Sequence, residues 1–283
     1  MNLDAVRHEG AGAFLRRAEQ WLLRAEDRNN LILSLAYARA RRSAFEPDAF
    51  FGTVEDGGQV IGCALRTPPH KLLVTDMPDD AALVLVPAVA SVYDTIGAVL
   101  GSPRVAQTIA DAWVGLRGGR SRPGMRQGVY RVDEVQRARP TAGSPREARP
   151  SDADVVADWG RRFARDTGEH GLVRPEVSAR WIGEGKLFLW EEGGRPVSMT
   201  AARGRTPRGV RVGYVYTPPE FRGHGYASAL VAHVSQRMLD DGVRFCILFT
   251  DLSNPTSNAI YQALGYRPIC ELRDIEIFPR DVQ

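Results

Sequence analysis

The sequence predicts an α/β protein of two domains with the same order of elements, each a mixed, mostly antiparallel sheet flanked by helices. The length of 283 residues suits two domains, and 43% hydrophobic with 25% charged residues is typical of globular chains. Two acidic turns, Glu55–Gly58 and Glu191–Gly194, each precede an apolar run and lie about half the chain apart. This spacing indicates a repeat, and a single α/β domain with two coincidental hairpins is the alternative.

Hydrophobic periodicity and turn residues define the elements of the first half. Ser102 before Pro103 marks a helix start, because serine caps helices and proline suits the first helical position. From the beginning of the chain we expect helices Phe14–Glu26 and Leu31–Arg41, strands Ala49–Val54, Val60–Leu65 and Leu72–Asp76, helix Asp79–Tyr93, strand Ile96–Leu100, helix Pro103–Leu116 and strand Arg126–Val132.

The second half repeats this order after residues 139–150, whose three prolines and one glycine among arginines predict a linker between domains 1–138 and 139–283. Asn254 is the expected N-cap of the last helix, and Gly265 its C-terminal stop. We expect helices Asp152–Thr167 and Pro175–Gly183, strands Leu187–Trp190, Pro196–Ala202 and Val210–Tyr216, helix Gly223–Asp241, strand Arg244–Phe249, helix Pro255–Leu264 and strand Glu271–Phe278.

Charge argues against two classes of partner. The formal net charge is +3, and basic and acidic residues are nearly balanced in each half. A dedicated nucleic-acid or polybasic membrane-binding domain carries a larger excess of positive charge. We therefore expect neither a nucleic acid nor a membrane as partner.

The chain reads as a bacterial, cytoplasmic protein. Lys71 and Lys186 are the only lysines beside many arginines, a bias typical of GC-rich genomes. The three cysteines form no CxxC pair, which fits a reducing compartment, and residues 1–20 lack the apolar core of a signal peptide. Pro87 and Asp94 interrupt the apolar stretch Ala81–Leu100, which predicts buried elements rather than a membrane span.

A glycine-rich loop follows a strand of the second half. The segment Arg222–Ala227 comes after two prolines that end strand pairing, and it opens an apolar-periodic helix. Small residues let a ligand approach the backbone, and the free N–H groups of a helix start favour phosphate. The loop lacks the Gly-Lys-Ser/Thr of P-loop NTPases, and Ser228 stands where a dinucleotide fingerprint needs glycine. A tight turn without a ligand is the alternative.

A second motif, Asn254–Tyr266, makes the first one specific. Together the two motifs resemble the GNAT superfamily of acyl-CoA-dependent N-acyltransferases, with Arg222–Ala227 similar to its pyrophosphate loop and Ser257 replacing an alanine of its last helix. The resemblance covers about residues 145–280. It implies two tandem GNAT-like domains, of which the first, residues 1–138, shares the order of elements but not the motifs.

The resemblance implies acetyl-CoA as cosubstrate, an amine that attacks the thioester directly, and an N–H group near Tyr216 that stabilises the oxyanion. Tyr261 matches the acid that protonates the departing thiolate. No metal ligand is expected. The residues that match the cofactor site are Val215, Tyr216, Thr217, Arg222, Gly223, His224, Gly225, Tyr226, Ala227, Ser228 and Asn254.

The general base is open among several candidates. Asp251 follows the second strand of the cleft and is the leading candidate, whereas Glu220 is expected to be solvated. Glu169 and His170 lie between the early helices, a region that shapes acceptor pockets in the family. A relayed water without a single base is the remaining alternative.

The first domain departs from these motifs where its chemistry would occur. The segment Thr75–Asp80 has three acidic residues and no glycine, so it would repel pyrophosphate, and Trp113 stands where a tyrosine would be sought.

We expect an N-acetyltransferase that acts on a primary amine of a small molecule through its second domain. A non-catalytic acyl-CoA-binding regulatory module is the alternative.

Overall fold

The computed structural model describes residues 2–41, 47–167 and 175–280. Contacts between residues divide the described chain into two units. The first unit runs to Val129 and also includes Thr250–Ser253 and the residues from Ile269 on, and the second comprises Tyr130–Phe249 and Asn254–Pro268. The predicted division into domains 1–138 and 139–283 stays a prediction.

The helices and strands lie close to the predicted ones. Along the chain they are β1 (Leu3–Arg7), α1 (Ala11–Leu22), α2 (Asn30–Ala40), β2 (Phe50–Asp56), β3 (Gln59–Arg66), β4 (Leu72–Val74), α3 (Asp79–Ala90), β5 (Ala98–Gly101), α4 (Pro103–Arg117), β6 (Arg120–Val132), β7 (Ser144–Glu147), α5 (Ala153–Thr167), α6 (Pro175–Gly183), β8 (Leu187–Glu192), β9 (Arg195–Arg203), β10 (Gly209–Tyr216), α7 (Tyr226–Asp240), β11 (Phe245–Asp251), α8 (Pro255–Ala263) and β12 (Arg267–Phe278).

The first unit is a mixed sheet with helices on both faces, as predicted. Its strand order is β1-β2-β3-β4-β5-β12-β6; β4 and β5 are parallel, whereas β1–β2, β2–β3, β3–β4 and β5–β12 are antiparallel. Alternate residues of β3 enter different cores. Ala64 lies in the core formed with α3 and α4, and Cys63 and Leu65 lie in the core formed with α1 and α2.

The second unit repeats this plan, with strand order β11-β10-β9-β8-β7 and β10 parallel to β11. Leu187 and Leu189 of β8 pack in the core of α5 and α6, while Phe188 between them faces Arg237 of α7. Both predicted hairpin turns have left-handed glycines, at φ 54° and 78° in the first unit and 57° and 77° in the second. No helix in the described ranges is long and apolar enough to cross a membrane.

Three elements differ from the sequence-based expectation. β12, expected in the second half, pairs with β5 in the first unit, where Ile275 and Ile277 complete the core of α3 and α4. β7 is a short strand within the predicted linker; it pairs with β8 as the last strand of its sheet, a position where Pro145 is tolerated. Ser102 precedes α4 as expected, but its hydroxyl donates to Asp76 Oδ1 (2.9 Å) instead of capping the helix.

Candidate active site

A cleft opens in the second unit where β10 and β11 part. The two strands pair in parallel only at Gly209–Arg211 and Phe245–Ile247. Beyond Arg211, β10 remains paired with β9, so within the described part of this unit its other edge has no strand partner. Unpaired backbone groups along a strand edge can hydrogen-bond to an extended ligand.

A β-bulge lies in β10 beside this cleft. Gly213 pairs with Ala201 and Tyr216 pairs with Met199, so β10 contains one extra residue between these pairs. Tyr214 has a left-handed backbone with φ 60°, which costs a side-chain-bearing residue about 1–2 kcal/mol. Since its side chain is only 3% exposed, packing in the core offsets this strain.

The end of β10 is held by hydrogen bonds that the sequence did not reveal. The Ser198 hydroxyl donates to the Tyr216 carbonyl (3.2 Å) and bonds to the Thr217 hydroxyl (2.9 Å). The Tyr216 ring is buried next to Trp159, with ring centroids 6.4 Å apart. Val215, the residue before Tyr216, is half-buried. The predicted Val215–Thr217 segment therefore lies at the cleft with a fixed backbone.

The glycine loop adopts a conformation that leaves its amides open. Gly223 and Gly225 have φ 84° and 83°, and α7 begins at Tyr226, three residues later than predicted, because these left-handed residues cannot continue a helix. A Cβ at Gly223 would meet nothing within 4 Å. The first-turn N–H groups of Tyr226–Ser228 have no partner within the helix, which favours an anion there.

The side chains of this loop make contacts with other groups of the protein. Arg222 donates from Nε to the Thr217 carbonyl (3.0 Å) and forms an ion pair with Asp166 (3.2 Å). The exposed His224 ring stacks on the Tyr226 ring with centroids 5.4 Å apart, and the Tyr226 hydroxyl donates to Glu192. These residues would therefore contact a ligand mainly through their backbone.

Thr141 supports the loop from a segment that reads as a linker. Its hydroxyl donates to the His224 carbonyl, and its Oγ1 atom lies 3.6 Å from where a Cβ of Gly225 would stand. The neighbouring Ala142 carbonyl accepts a hydrogen bond from Trp190 Nε1 (2.7 Å). No periodicity or motif marks Thr141, because its partner is 83 residues away in the sequence.

The second motif forms α8 with the predicted ends. The Asn254 side-chain oxygen accepts a hydrogen bond from the Ser257 amide (3.1 Å), which confirms Asn254 as N-cap. Gly265 has φ 93°, and a Cβ there would lie 2.9 Å from the Glu134 carbonyl oxygen. The Asn254 side-chain nitrogen makes no hydrogen bond among the described residues, so it remains available to a ligand.

Tyr261 is a proton donor at neutral pH. Its half-buried ring meets the Tyr266 ring at 64° with centroids 6.2 Å apart. Burial raises the pKa of Tyr261 to about 12, so the hydroxyl stays protonated. Within the described chain this hydroxyl has no hydrogen-bond partner. It can therefore donate to a ligand without breaking a bond inside the protein.

The predicted bases differ in their surroundings. Asp251 belongs to the first unit, and its Oδ1 atom accepts hydrogen bonds from the amide and hydroxyl of Ser253 (2.8 and 2.7 Å), as in an Asx turn. Glu220 is exposed, as expected. Glu169 and His170 lie outside the described residues. The role of Asp251 as base stays a prediction.

Cys246 is buried in β11. Burial raises the pKa of its thiol to about 12, so the thiolate needed for nucleophilic attack is scarce at neutral pH. Cys246 therefore suits a core position, in line with direct attack by the acceptor.

Comparison with known proteins agrees with this geometry. Residues 155–266 match the acetyltransferase (GNAT) family, and no curated protein sequence matches the chain significantly. Solved structures with a similar fold include a Drosophila protein (TM-score 0.71, 13% identity, covering 97% of this chain and 98% of that chain). Another is a GCN5-related N-acetyltransferase from Sphaerobacter thermophilus (TM-score 0.60, 16% identity, covering 99% of this chain and 97% of that chain). A third is a tandem GNAT protein from the clavulanic acid biosynthesis pathway (TM-score 0.58, 16% identity, covering 99% of this chain and 100% of that chain). At these identities the likeness shows the fold.

Proposed function

We propose that this chain transfers the acetyl group of acetyl-CoA to a primary amine of a small molecule, since residues 155–266 match the GNAT acetyltransferase family. The observation that carries the proposal is the unpaired edge of β10, which leads directly to a glycine loop with open amides. A strand edge followed by a helix N-terminus matches a ligand that is amide-bearing at one end and phosphorylated at the other.

The two parts of coenzyme A correspond to the two parts of the cleft. The pantetheine arm, with its amide groups, would pair with the backbone of Val215–Thr217, and Asn254 would contact the same arm. The pyrophosphate would accept hydrogen bonds from the amides of Arg222–Ser228. The open space above Gly223 supports such a close approach.

The chemistry needs a neutral amine, a stabilised oxyanion and a stabilised thiolate. The amine nitrogen attacks the thioester carbon, a C–N bond forms, and the C–S bond then breaks. A backbone N–H near Tyr216 would donate to the oxyanion, and Ser198 keeps this stretch of backbone fixed. Most of the acceleration is assigned to holding the two reactants together.

Tyr261 is proposed to act on the departing sulfur. Its pKa of about 12 exceeds the ordinary thiol value of about 8.5, so the proton rests mainly on the tyrosine. We therefore assign Tyr261 a hydrogen bond to the developing thiolate. The proton that the thiol finally carries is the one that the nitrogen loses, relayed by a base or by water.

The acceptor is proposed to be a small molecule, and neither nucleic acid nor membrane is part of the proposal, in line with the net charge of +3. We also propose that the protein acts in the cytoplasm of a bacterium. The Tyr261 hydroxyl of the second motif has no hydrogen-bond partner among the described residues, which supports an enzyme, because a regulatory module would not need a free proton donor.

The test is thiol release from acetyl-CoA by the full chain with a panel of primary amines. We expect release with at least one amine, and we expect loss of release but retention of acetyl-CoA binding in Tyr261→Phe. Tight binding without release on any amine would favour the regulatory module. A failure to bind acetyl-CoA would contradict both functions.

A further inference from the structure

Among the described residues, Tyr214 is the only non-glycine residue with a positive φ, at 60°. Bulky residues rarely adopt the left-handed region, which glycine enters without cost. A glycine is adjacent, Gly213, but the tyrosine takes the strained conformation. Such an outlier persists only where the surrounding structure enforces it.

Aromatic residues of two helices pack against the Tyr214 ring. The Tyr214 ring meets Phe163 of α5 with centroids 5.1 Å apart at 62°, and Trp181 of α6 with centroids 5.3 Å apart at 82°. Both are edge-to-face contacts, the favoured geometry for aromatic pairs. The guanidinium of Arg203 from β9 covers the Trp181 ring at 5.2 Å. The ring of Tyr214 is therefore clamped between Phe163 and Trp181.

The hydroxyl group does not explain this arrangement. It is buried beside Ser178 and within electrostatic reach of Arg203, yet no described group meets hydrogen-bond geometry with it. A buried hydroxyl without a partner is unfavourable. The contribution of Tyr214 therefore comes from its ring.

The bulge decides which backbone groups face the cleft. In a strand, the N–H and C=O groups of one residue point to one edge, and those of the next residue point to the other edge. One extra residue therefore reverses the edge that the groups of every following residue face. With the bulge between Gly213 and Tyr216 removed, the backbone groups of Val215 and of Tyr216 would each face the opposite edge of β10.

We propose that Tyr214 is a positioning residue: its ring, clamped between Phe163 and Trp181, holds the bulge of β10 and thereby sets which amides face acetyl-CoA. The consequence for acetyl-CoA rests on the proposed function. The claim about the backbone does not, since it concerns the conformation of β10 alone.

The experiment compares Tyr214→Leu, Tyr214→Phe and the control Leu189→Ala by crystal structure and by calorimetric titration with acetyl-CoA. Leu189 is fully buried in the same core but lies on β8, which does not pair with β10. In Tyr214→Leu we expect a negative φ at residue 214 and a Kd for acetyl-CoA raised on the order of tenfold. In Tyr214→Phe we expect the wild-type backbone and a Kd within about twofold of wild type, because the ring remains. Leu189→Ala should lose stability without a change in Kd.

Several results would overturn the proposal. A positive φ retained in Tyr214→Leu would show that the ring does not hold the bulge. Equal loss in Tyr214→Phe would assign the effect to the hydroxyl, and equal loss in Leu189→Ala would assign it to general destabilisation. If Tyr214→Leu does not fold, Phe163→Leu removes one side of the clamp and is judged by the same two readouts. If the wild type fails to bind acetyl-CoA, the proposed function is wrong, and the crystal structures still decide the backbone claim.

Discussion

The two units solve the same strand-to-helix connection in opposite ways. In the second unit, the connection after β10 has two left-handed glycines and leaves the N-terminus of α7 without acidic residues. In the first unit, the connection after β4 has no glycine, and Asp79 and Asp80 occupy the first turn of α3. Acidic residues at a helix start satisfy the helix dipole from within the chain. With the same topology, the helix start is therefore open to an anion in the second unit and occupied by acidic side chains in the first.

Arg104 completes the difference in the first unit. Its guanidinium forms ion pairs with Asp76 (3.3 Å) and Asp79 and donates to the Met77 carbonyl (2.6 Å). The position proposed to face a ligand in the second unit is thus closed by the chain's own cation in the first. The sequence-based expectation that this unit does not bind acyl-CoA stays a prediction, and this geometry supports it.

The parallel strands also differ. In the second unit, pairing of β10 with β11 ends at Arg211, and the strands part. In the first unit, β4 and β5 stay close at their ends, where a Cβ on Gly101 would lie 2.4 Å from the Val74 side chain. Of the described strands, only the parallel pair of the second unit therefore leaves space beside a strand edge for the proposed ligand.

The largest expected effect distinguishes α8 of the second unit from α4 of the first unit. Trp113 of α4 is buried in the core of the first unit, whereas the Tyr261 hydroxyl of α8 is free to donate. Tyr261→Phe should lower kcat by about 10²- to 10⁴-fold with an unchanged Kd for acetyl-CoA, since only the transition-state contact is lost. Steady-state kinetics and titration measure the two values.

The pH dependence gives a second check on Tyr261. Its pKa is raised to about 12, so the neutral donor form persists above the ordinary tyrosine value of about 10. The ratio of wild-type to Tyr261→Phe activity should stay constant from pH 7 to about pH 10. A ratio that falls through pH 9 would contradict the buried environment.

The next largest effect is expected when the glycine loop of the second unit is made acidic, like the connection after β4 in the first unit. Gly223→Asp places a carboxylate where the pyrophosphate is proposed, and like charges at an interface cost several kcal/mol. We expect Kd for acetyl-CoA to rise about 10²-fold. Gly242→Asp is a matched control, because Gly242 also has a positive φ, 87° against 84°, and nothing within 4 Å of its Cβ position. Equal weakening in both variants would assign the effect to backbone strain.

A smaller effect is expected at Thr141. Thr141→Val removes the hydrogen bond to the His224 carbonyl, worth about 1 kcal/mol, so Kd for acetyl-CoA should rise roughly fivefold. Thr141→Ser keeps the hydroxyl and should bind like wild type. Binding by Thr141→Val that equals wild type would show that the loop holds its shape without this contact.

The smallest effect is expected in the first unit. Arg104 is half-exposed, so Arg104→Ala should lower the free energy of unfolding by at most about 1 kcal/mol. Chemical denaturation measures this change. Binding of acetyl-CoA should keep its stoichiometry, because Asp76, Asp79 and Asp80 still repel phosphate. A second binding event in Arg104→Ala would mean that Arg104 alone closes the loop.

Local features were predictable from the sequence, and long-range pairings were not. The two hairpins, the glycine loop and the Asn254 cap each depend on neighbouring residues whose backbone preferences are strong. β12 reads as a strand, but its partner β5 lies in the other half of the sequence. Thr141 has no local signal, and the strained position fell on Tyr214 because two distant helices hold its ring.

We propose that one chain holds one acyl-CoA site, built by the second unit. Calorimetric titration of the full chain with acetyl-CoA tests it most directly, with Gly223→Asp and Gly242→Asp alongside. The predicted result is one acetyl-CoA per chain, with a Kd raised about 10²-fold in Gly223→Asp and unchanged in Gly242→Asp. Two molecules per chain, or one that binds Gly223→Asp with wild-type affinity, would contradict the claim.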